Sequence, residues 1–206
     1  MELSTAVMKQ WALRINAKMQ EHKDRLSELD QAIGDGDHGH NMARGFQEVA
    51  NKLEDTSYDD IGAMYKDVAS TLISKVGGAS GPLYGTAFLK AANAWKGRDA
   101  LDSAAFTEGI EAAVGGIETR GKASLGDKTM LDVWIPVRDE MKEDGADAEK
   151  AASTAEKEAE ATIDKVAKKG RASYLGERSK GHMDPGAFSS QLVFEALAEV
   201  YKEGAS

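Results

Sequence analysis

Ile61-Gly62-Ala63-Met64-Tyr65-Lys66-Asp67-Val68-Ala69-Ser70-Thr71-Leu72-Ile73-Ser74-Lys75-Val76-Gly77-Gly78-Ala79-Ser80-Gly81-Pro82 sets the architecture of this chain. Ile61, Met64, Val68, Leu72 and Val76 recur at steps of three and four, the spacing that lines one face of an α-helix. Gly77-Gly78 stops that helix, and Pro82 stands where a first-turn proline starts the next one, which runs to about Lys96-Gly97. The same alternation of stripe and break repeats along the chain. Val7, Trp11, Ile15 and Met19 mark a first helix, and Met42, Phe46, Val49 and Leu53 a second. After the two helices of the quoted stretch, Ser103 is expected to cap a fifth, with Phe106, Ile110, Val114 and Ile117 on its buried face. Met130, Val133, Trp134, Val137 and Met141 make a sixth, with a bend expected near Pro136. Asp147 opens a seventh, rich in alanine, glutamate and lysine, whose charges read as a solvated face. Phe188, Leu192, Val193, Leu197 and Val200 make the eighth. No segment alternates with period two. Eight amphipathic helices with short connections predict an all-α antiparallel barrel or bundle, one domain over residues 1–206.

The glycines concentrate in four connections: 34–39, 77–85, 115–126 and 170–186. In an up-and-down arrangement all four lie at the same end, so they are expected to surround one site at one rim. Gly77 to Pro82 offers unhindered backbone N–H groups at a helix N-terminus, where anions bind well. Ser80 adds a hydroxyl donor. Gly121-Lys122-Ala123-Ser124-Leu125-Gly126-Asp127-Lys128-Thr129 nearly spells a P-loop, but Asp127 intrudes before the lysine and no strand precedes it. Arg171 to Gly186 is a long connection of the kind that forms lids. Arg171, Arg178 and Lys180 could neutralise phosphate charge there.

Asp30-Gln31-Ala32-Ile33-Gly34-Asp35-Gly36-Asp37-His38-Gly39 carries the chemistry. Asp35 and Asp37 are two apart in a glycine-rich, extended segment, so their side chains can converge. Asp30 can fold back toward them across Gly34. Three carboxylates forced together repel unless a cation sits between them, and Mg²⁺ is held by one or two carboxylates plus waters and substrate phosphates. The segment reads as half of a metal–phosphate site. The dinucleotide fingerprint fails because Asp35 and Asp37 would repel a bare pyrophosphate. The EF-hand fails because His40 and Phe46 fall where glycine and glutamate are required. A capping role for Asp37 accounts for one carboxylate and leaves two unexplained.

Composition narrows the function classes. The 206 residues carry a net charge of −9 and are 41% hydrophobic, with no cysteine. That excludes disulfides, thiol nucleophiles and thiolate metal sites, and agrees with a reducing compartment. Nothing builds a basic face for nucleic acid. No apolar run reaches the length of a membrane span, and the N-terminus lacks the basic and apolar regions of a leader, so a cytoplasmic protein is expected. His22, His38, His40 and His182 have no zinc-enzyme spacing, and no nucleophile elbow is present. Positioning and charge neutralisation remain, the profile of phosphoryl transfer.

Gly34 to Gly39, Gly77 to Pro82, Gly126-Asp127-Lys128-Thr129-Met130, and Arg171 to Arg178 through Asp184-Pro185-Gly186 together resemble the nucleotide-binding L subunits of bacterial phosphotransferase-dependent dihydroxyacetone kinases. The resemblance spans the chain in order. It implies a barrel of eight antiparallel helices with ADP or ATP, tightly bound, at one rim. It implies that Asp30, Asp35 and Asp37 hold two Mg²⁺ ions. It implies nucleotide contacts from His38, Gly39, His40, Asn41, Ala79, Ser80, Gly121, Met130, Arg171, Asp184, Pro185 and Gly186. Arg178 is the candidate catalytic group, a lid donor to the transferred phosphoryl. The partners implied are a dihydroxyacetone-binding K subunit and a phosphohistidine-carrying M subunit that recharges the bound ADP. The chain begins just before the first helix and ends soon after the eighth, so a separate substrate subunit is expected. A stand-alone ATP-dependent kinase or Mg²⁺ phosphohydrolase, and a non-catalytic nucleotide-binding regulatory subunit, are the alternatives.

Overall fold

A three-residue strand, β1 (Glu2–Ser4), leads into α1 (Thr5–Glu21), where the Ser4 hydroxyl caps the helix by accepting from the Val7 N–H. The structure, a computed structural model, describes residues 1–204. At His22 the helix breaks and α2 (Lys23–Ile33) follows. Next come α3 (His38–Glu54), α4 (Ile61–Lys75), α5 (Ser80–Ala94), the strand β2 (Ala100–Asp102) and α6 (Ser103–Gly121). The chain continues through α7 (Leu131–Asp144) and α8 (Ala148–Ala161), then two 3₁₀ segments, Thr162–Asp164 and Arg171–Ser179, and closes with α9 (Pro185–Gly204).

The helices form a closed ring. Going round it, α1 packs on α3, α3 on α4, α4 on α5, α5 on α6, α6 on α7, α7 on α8, α8 on α9, and α9 returns to α1. These eight are the helices that the apolar stripes predict. The ninth, α2, lies outside the ring against α3 and scarcely touches α1, as expected of a helix that prolongs its predecessor without doubling back. The up-and-down parity of the ring is therefore kept.

Two local expectations are corrected. Asp102, not Ser103, caps α6, because its carboxylate reaches the Ala105 N–H at 2.8 Å while Ser103 is already helical. The strands β1 and β2 pair antiparallel over three residues each, too few for a period-two pattern to register. Asp147 caps α8 as expected, and the buried stripe of that helix is Ala148, Ala151, Ala155 and Ala159.

Large rings fill the barrel. Trp11, Tyr65, Phe88, Trp95, Phe106, Trp134 and Phe194 are each 1% exposed or less. Trp95 stacks on Phe106 at 5.7 Å, and Trp134 meets Phe194 edge-on at 5.0 Å. Their polar atoms are satisfied across the ring: Trp11 Nε1 donates to the Val193 carbonyl, Tyr65 Oη to that of Met8, and Trp95 Nε1 to that of Ala105. Such bonds let amphipathic rings sit in a dry core without stranding a donor. Among the described residues, no helix is long and apolar enough to cross a membrane.

Candidate functional site

One rim of the ring gathers the four glycine-bearing connections around a single cleft. It is lined by Asp30, Gly34, Asp35, Asp37 and His38 from the first, and by Gly77, Gly78, Ala79 and Ser80 from the second. Lys128, Thr129 and Met130 come from the third. That connection runs over 122–130 and not over the expected 115–126, because residues 115–121 continue α6. Lys169 to Ala172 with Asp184 to Gly186 come from the fourth. The parity of the ring explains this convergence. Helices α3, α5, α7 and α9 all start here, and His38, Ser80, Met130 and Pro185 mark their first turns. Four helix N-termini thus border one space and bring their positive dipole ends to it, which favours an anion, although the first N–H groups of α7 are already taken by Thr129 and Met130.

The acidic group faces that same space. One oxygen from each of Asp30, Asp35 and Asp37 lies within 4.8 Å of the other two. Oxygens bound to one Mg²⁺ at about 2.1 Å sit roughly 3–4 Å apart, so the cluster fits a hard divalent cation. Asp30 belongs to the last turn of α2 and is 7% exposed. Burial raises its pKa and repulsion from Asp35 adds to the rise, while the His38 N–H, donating to Asp30 Oδ2 at 3.1 Å, opposes it. Gly34 allows the approach: a Cβ there would lie 2.1 Å from Asp30 Oδ1. Asp37 precedes α3, yet its side chain makes no capping bond, so the carboxylate is left for the cleft. Arg171 reaches in from the fourth connection, with Nη2 3.0 Å from Asp35 Oδ2.

Behind the cleft wall the polar groups are buried. Burial holds His38 neutral by pushing its pKa down to about 4. Its Nδ1 meets Ser80 Oγ at 2.9 Å and its Nε2 meets Ser189 Oγ at 3.0 Å. Asp184 accepts from the Ala187 N–H at the start of α9, and burial, reinforced by repulsion from Asp132, pushes its carboxyl up to about 7 against the pull of Lys128. Lys128 is wholly buried, and its Nζ donates to the carbonyls of Ser179 and His182 at 2.6 Å and of Lys165 at 3.1 Å. One ammonium therefore ties the third connection to the long fourth one.

The remaining residues implied by the resemblance fall elsewhere. Gly39 is buried where α3 crosses α2; a Cβ would lie 2.0 Å from the Lys23 carbonyl. The His40 ring bonds Ser27 Oγ at 3.0 Å, away from the cleft lining. Asn41 Oδ1 accepts from Arg44 Nη2 at 2.8 Å, and its amide packs beneath Gly77. Gly121 lines an adjoining apolar recess with Pro82, Leu83, Ile117, Ala123 and Leu131, which shares Ala79, Thr129 and Met130 with the cleft. Arg178 lies beyond a kink at Gly176, exposed and outside the cleft lining. Sequence reasoning passed over Lys128, Thr129, Lys169 and Tyr84, which do line the cleft. Lys128 had a signal in its near-P-loop setting, but nothing local reveals that it turns inward. Tyr84 reads as an ordinary helix-interior residue.

Comparison with known proteins gives the family and agrees with the fold. Residues 32–199 match the model of the DAK2 domain. The chain is 48% identical over 195 residues to the ADP-binding subunit DhaL of PEP-dependent dihydroxyacetone kinase 1 from Listeria innocua, covering 93% of this chain and 96% of the relative. It is 43% identical over 210 residues to the corresponding Escherichia coli subunit, covering 98% and 100%. The fold matches the crystal structure of the dihydroxyacetone kinase of C. freundii in its native form with a TM-score of 0.78 at 26% identity, over 94% of this chain and 34% of that one. By its domain and by these relatives, the chain belongs to the DAK2 domain family and, within it, to the DhaL group.

Proposed function

We propose that this chain is the ADP-binding subunit of a phosphoenolpyruvate-dependent dihydroxyacetone kinase. The observation that carries the proposal is the juxtaposition of the Asp30–Asp35–Asp37 oxygens with four helix N-termini. A carboxylate cluster alone repels phosphate and helix N-termini alone repel metal; together they suit a metal–diphosphate pair. The names and identities of the relatives support ADP as that diphosphate.

Each residue then has a task. Asp30, Asp35 and Asp37 would hold two Mg²⁺ ions, which when bound supply neutralisation of phosphoryl charge. The N–H groups of Gly77 to Ser80 and the first turns of α3 and α9 orient the phosphates. The recess lined by Leu83, Ile117, Gly121 and Met130 offers apolar walls to a flat base. Arg178 is the candidate donor to the transferred phosphoryl, brought in by movement of the segment that carries it. Among the described residues, His38 has both ring nitrogens engaged, and Asp184, which also lines the cleft, is held by the Ala187 N–H at the start of α9. The proton of the acceptor hydroxyl is therefore taken by the partner that holds the substrate. In this reading ADP stays bound as a cofactor in the cytoplasm. A phosphohistidine M subunit recharges it in place, and the γ-phosphoryl passes to dihydroxyacetone on a K subunit.

The test is to denature the purified protein and quantify released nucleotide. About one ADP per chain, lost after chelation of divalent metal, supports a resident cofactor. An empty, freely exchanging site that turns over free ATP would favour an ordinary ATP-dependent kinase. Retained ADP that is never recharged by a phosphohistidine donor would favour a regulatory subunit.

A further inference from the structure

A buried chain of hydrogen bonds runs from the cleft into the barrel core. Ser80 Oγ meets His38 Nδ1, His38 Nε2 meets Ser189 Oγ, and Ser189 Oγ meets Tyr84 Oη at 2.7 Å. Tyr84 Oη then meets Ser190 Oγ at 2.8 Å, and Ser190 Oγ lies 2.7 Å from the Gly186 carbonyl. Ser189 and Ser190 are wholly buried, Tyr84 is 1% exposed and His38 is 7% exposed, so bulk water does not complete the bonds inward of Ser80. Along the chain every hydroxyl has one proton, and the imidazole has one for its two nitrogens. The direction of each bond therefore constrains the next.

The inner end sets that direction. Trp134 Nε1 is donor-only and gives its proton to Ser190 Oγ at 2.9 Å. The Gly186 carbonyl is acceptor-only and takes the Ser190 proton, the shortest of three hydroxyl contacts to it at 2.7 Å, against 3.1 Å from Ser189 and 3.4 Å from Tyr84. Ser190 is then left with a lone pair for Tyr84, so Tyr84 donates inward. Its own lone pair accepts from Ser189 at 2.7 Å, and with the Gly186 carbonyl as the other taker at 3.1 Å the Ser189 proton is not left for His38. His38 Nε2 must donate to Ser189. With the ring proton on Nε2, Nδ1 is an acceptor and holds the Ser80 proton.

We propose that Tyr84, Ser189 and Ser190 are positioning residues that fix His38 as its Nε2–H tautomer and, through it, turn the Ser80 hydroxyl proton away from the cleft. Ser80 then offers an anion its backbone N–H at the start of α5, while its side-chain oxygen faces the cleft as an acceptor. This reverses the donor role that the sequence suggests for the hydroxyl. The effect on ligand binding rests on the nucleotide reading above; the tautomer does not.

Two measurements separate these parts. The first is the ¹⁵N chemical shift pair of the His38 ring in the nucleotide-free protein. The proposal expects a protonated Nε2 and an unprotonated Nδ1, and a protonated Nδ1 overturns it. The second uses Tyr84→Phe, which removes the acceptor that commits the Ser189 proton but keeps the ring volume. A mixture of His38 tautomers is expected, with ADP release slower by about fivefold, because in the Nδ1–H form the Ser80 hydroxyl is free to donate to the phosphate, a gain of one hydrogen bond. A single unchanged tautomer overturns the positioning role, whatever happens to stability. Should Tyr84→Phe fail to fold, Ser190→Ala, which frees Tyr84 to donate to Ser189, is read in the same way. If no nucleotide binds to the unaltered protein, the proposed function fails while the tautomer result still stands or falls alone.

Discussion

The Arg171 guanidinium stands 3.0 Å from the Asp35 carboxylate, so a residue of the long fourth connection is paired with a member of the acidic cluster. Arg171 is 70% exposed at its side chain, and an exposed pair of this kind is worth less than about 1 kcal/mol. It competes directly with a divalent cation for the same oxygen. Arg171→Gln is expected to raise Mn²⁺ affinity of the nucleotide-free protein by about two- to fivefold, measured by calorimetry at low ionic strength. Unchanged or weaker binding would show that the pair does not oppose the metal.

Gly34 makes room for Asp30. Its φ of −143° is open to any residue, so the constraint there is space alone. Gly34→Ala would drive a methyl group into Asp30 Oδ1 and push one carboxylate out of the cluster. Divalent-metal affinity should fall by about tenfold or more, with little change in the circular-dichroism spectrum. Wild-type metal binding in this variant would mean that Asp30 is not a ligand.

The pH dependence of stability should carry the mark of Asp184. Its folded pKa of about 7 lies above the ordinary value of 3.8. Between those values the folded protein holds a proton that the unfolded chain releases, so this group makes stability fall as pH rises, with the full cost reached above about 7. His38 works in the opposite sense: its folded value of about 4 lies below 6.5, so its contribution is lost as pH falls through that interval. Asp184→Asn keeps the α9 cap and removes the first effect. Relative to the unaltered protein, this variant should gain about 2–3 kcal/mol between pH 5 and pH 8, followed by urea unfolding without metal or nucleotide. A constant difference across that range would rule out the buried carboxyl as its source.

Lys128 tests the fourth connection. Its ammonium satisfies three carbonyls from residues 165, 179 and 182, and its own backbone is held at a φ of +61°. Lys128→Met fills the volume but strands those carbonyls. The expected cost is about 3 kcal/mol, with faster amide hydrogen exchange confined to residues 165–182. Uniformly faster exchange across the barrel would instead make Lys128 a general core residue.

The ring helices were legible because each buries a full stripe, as Trp11 and Ile15 do in α1 or Leu192 and Leu197 in α9. Helix α2 was not, since its buried Leu26, Leu29 and Ile33 stand among charged residues on a single short segment outside the ring. At the site, glycines and clustered aspartates announced themselves through local chemistry, and ring parity brought their loops together. Lys128, Tyr84 and Ser189 act through partners that lie 37 or more residues away, and no local pattern encodes such partners. Gly39 shows the converse: it belongs to the glycine-rich motif, yet its visible work is to let α3 cross α2.

The central claim is that the acidic turn grips the nucleotide through magnesium. Calorimetric titration of ADP into nucleotide-free protein, with and without Mg²⁺, for the unaltered chain and Asp37→Asn, tests it most directly. Tight binding only with Mg²⁺ in the unaltered protein, and weak binding under both conditions in the variant, is the expected result. Equal ADP affinity with and without the metal, or an unimpaired Asp37→Asn, would contradict it.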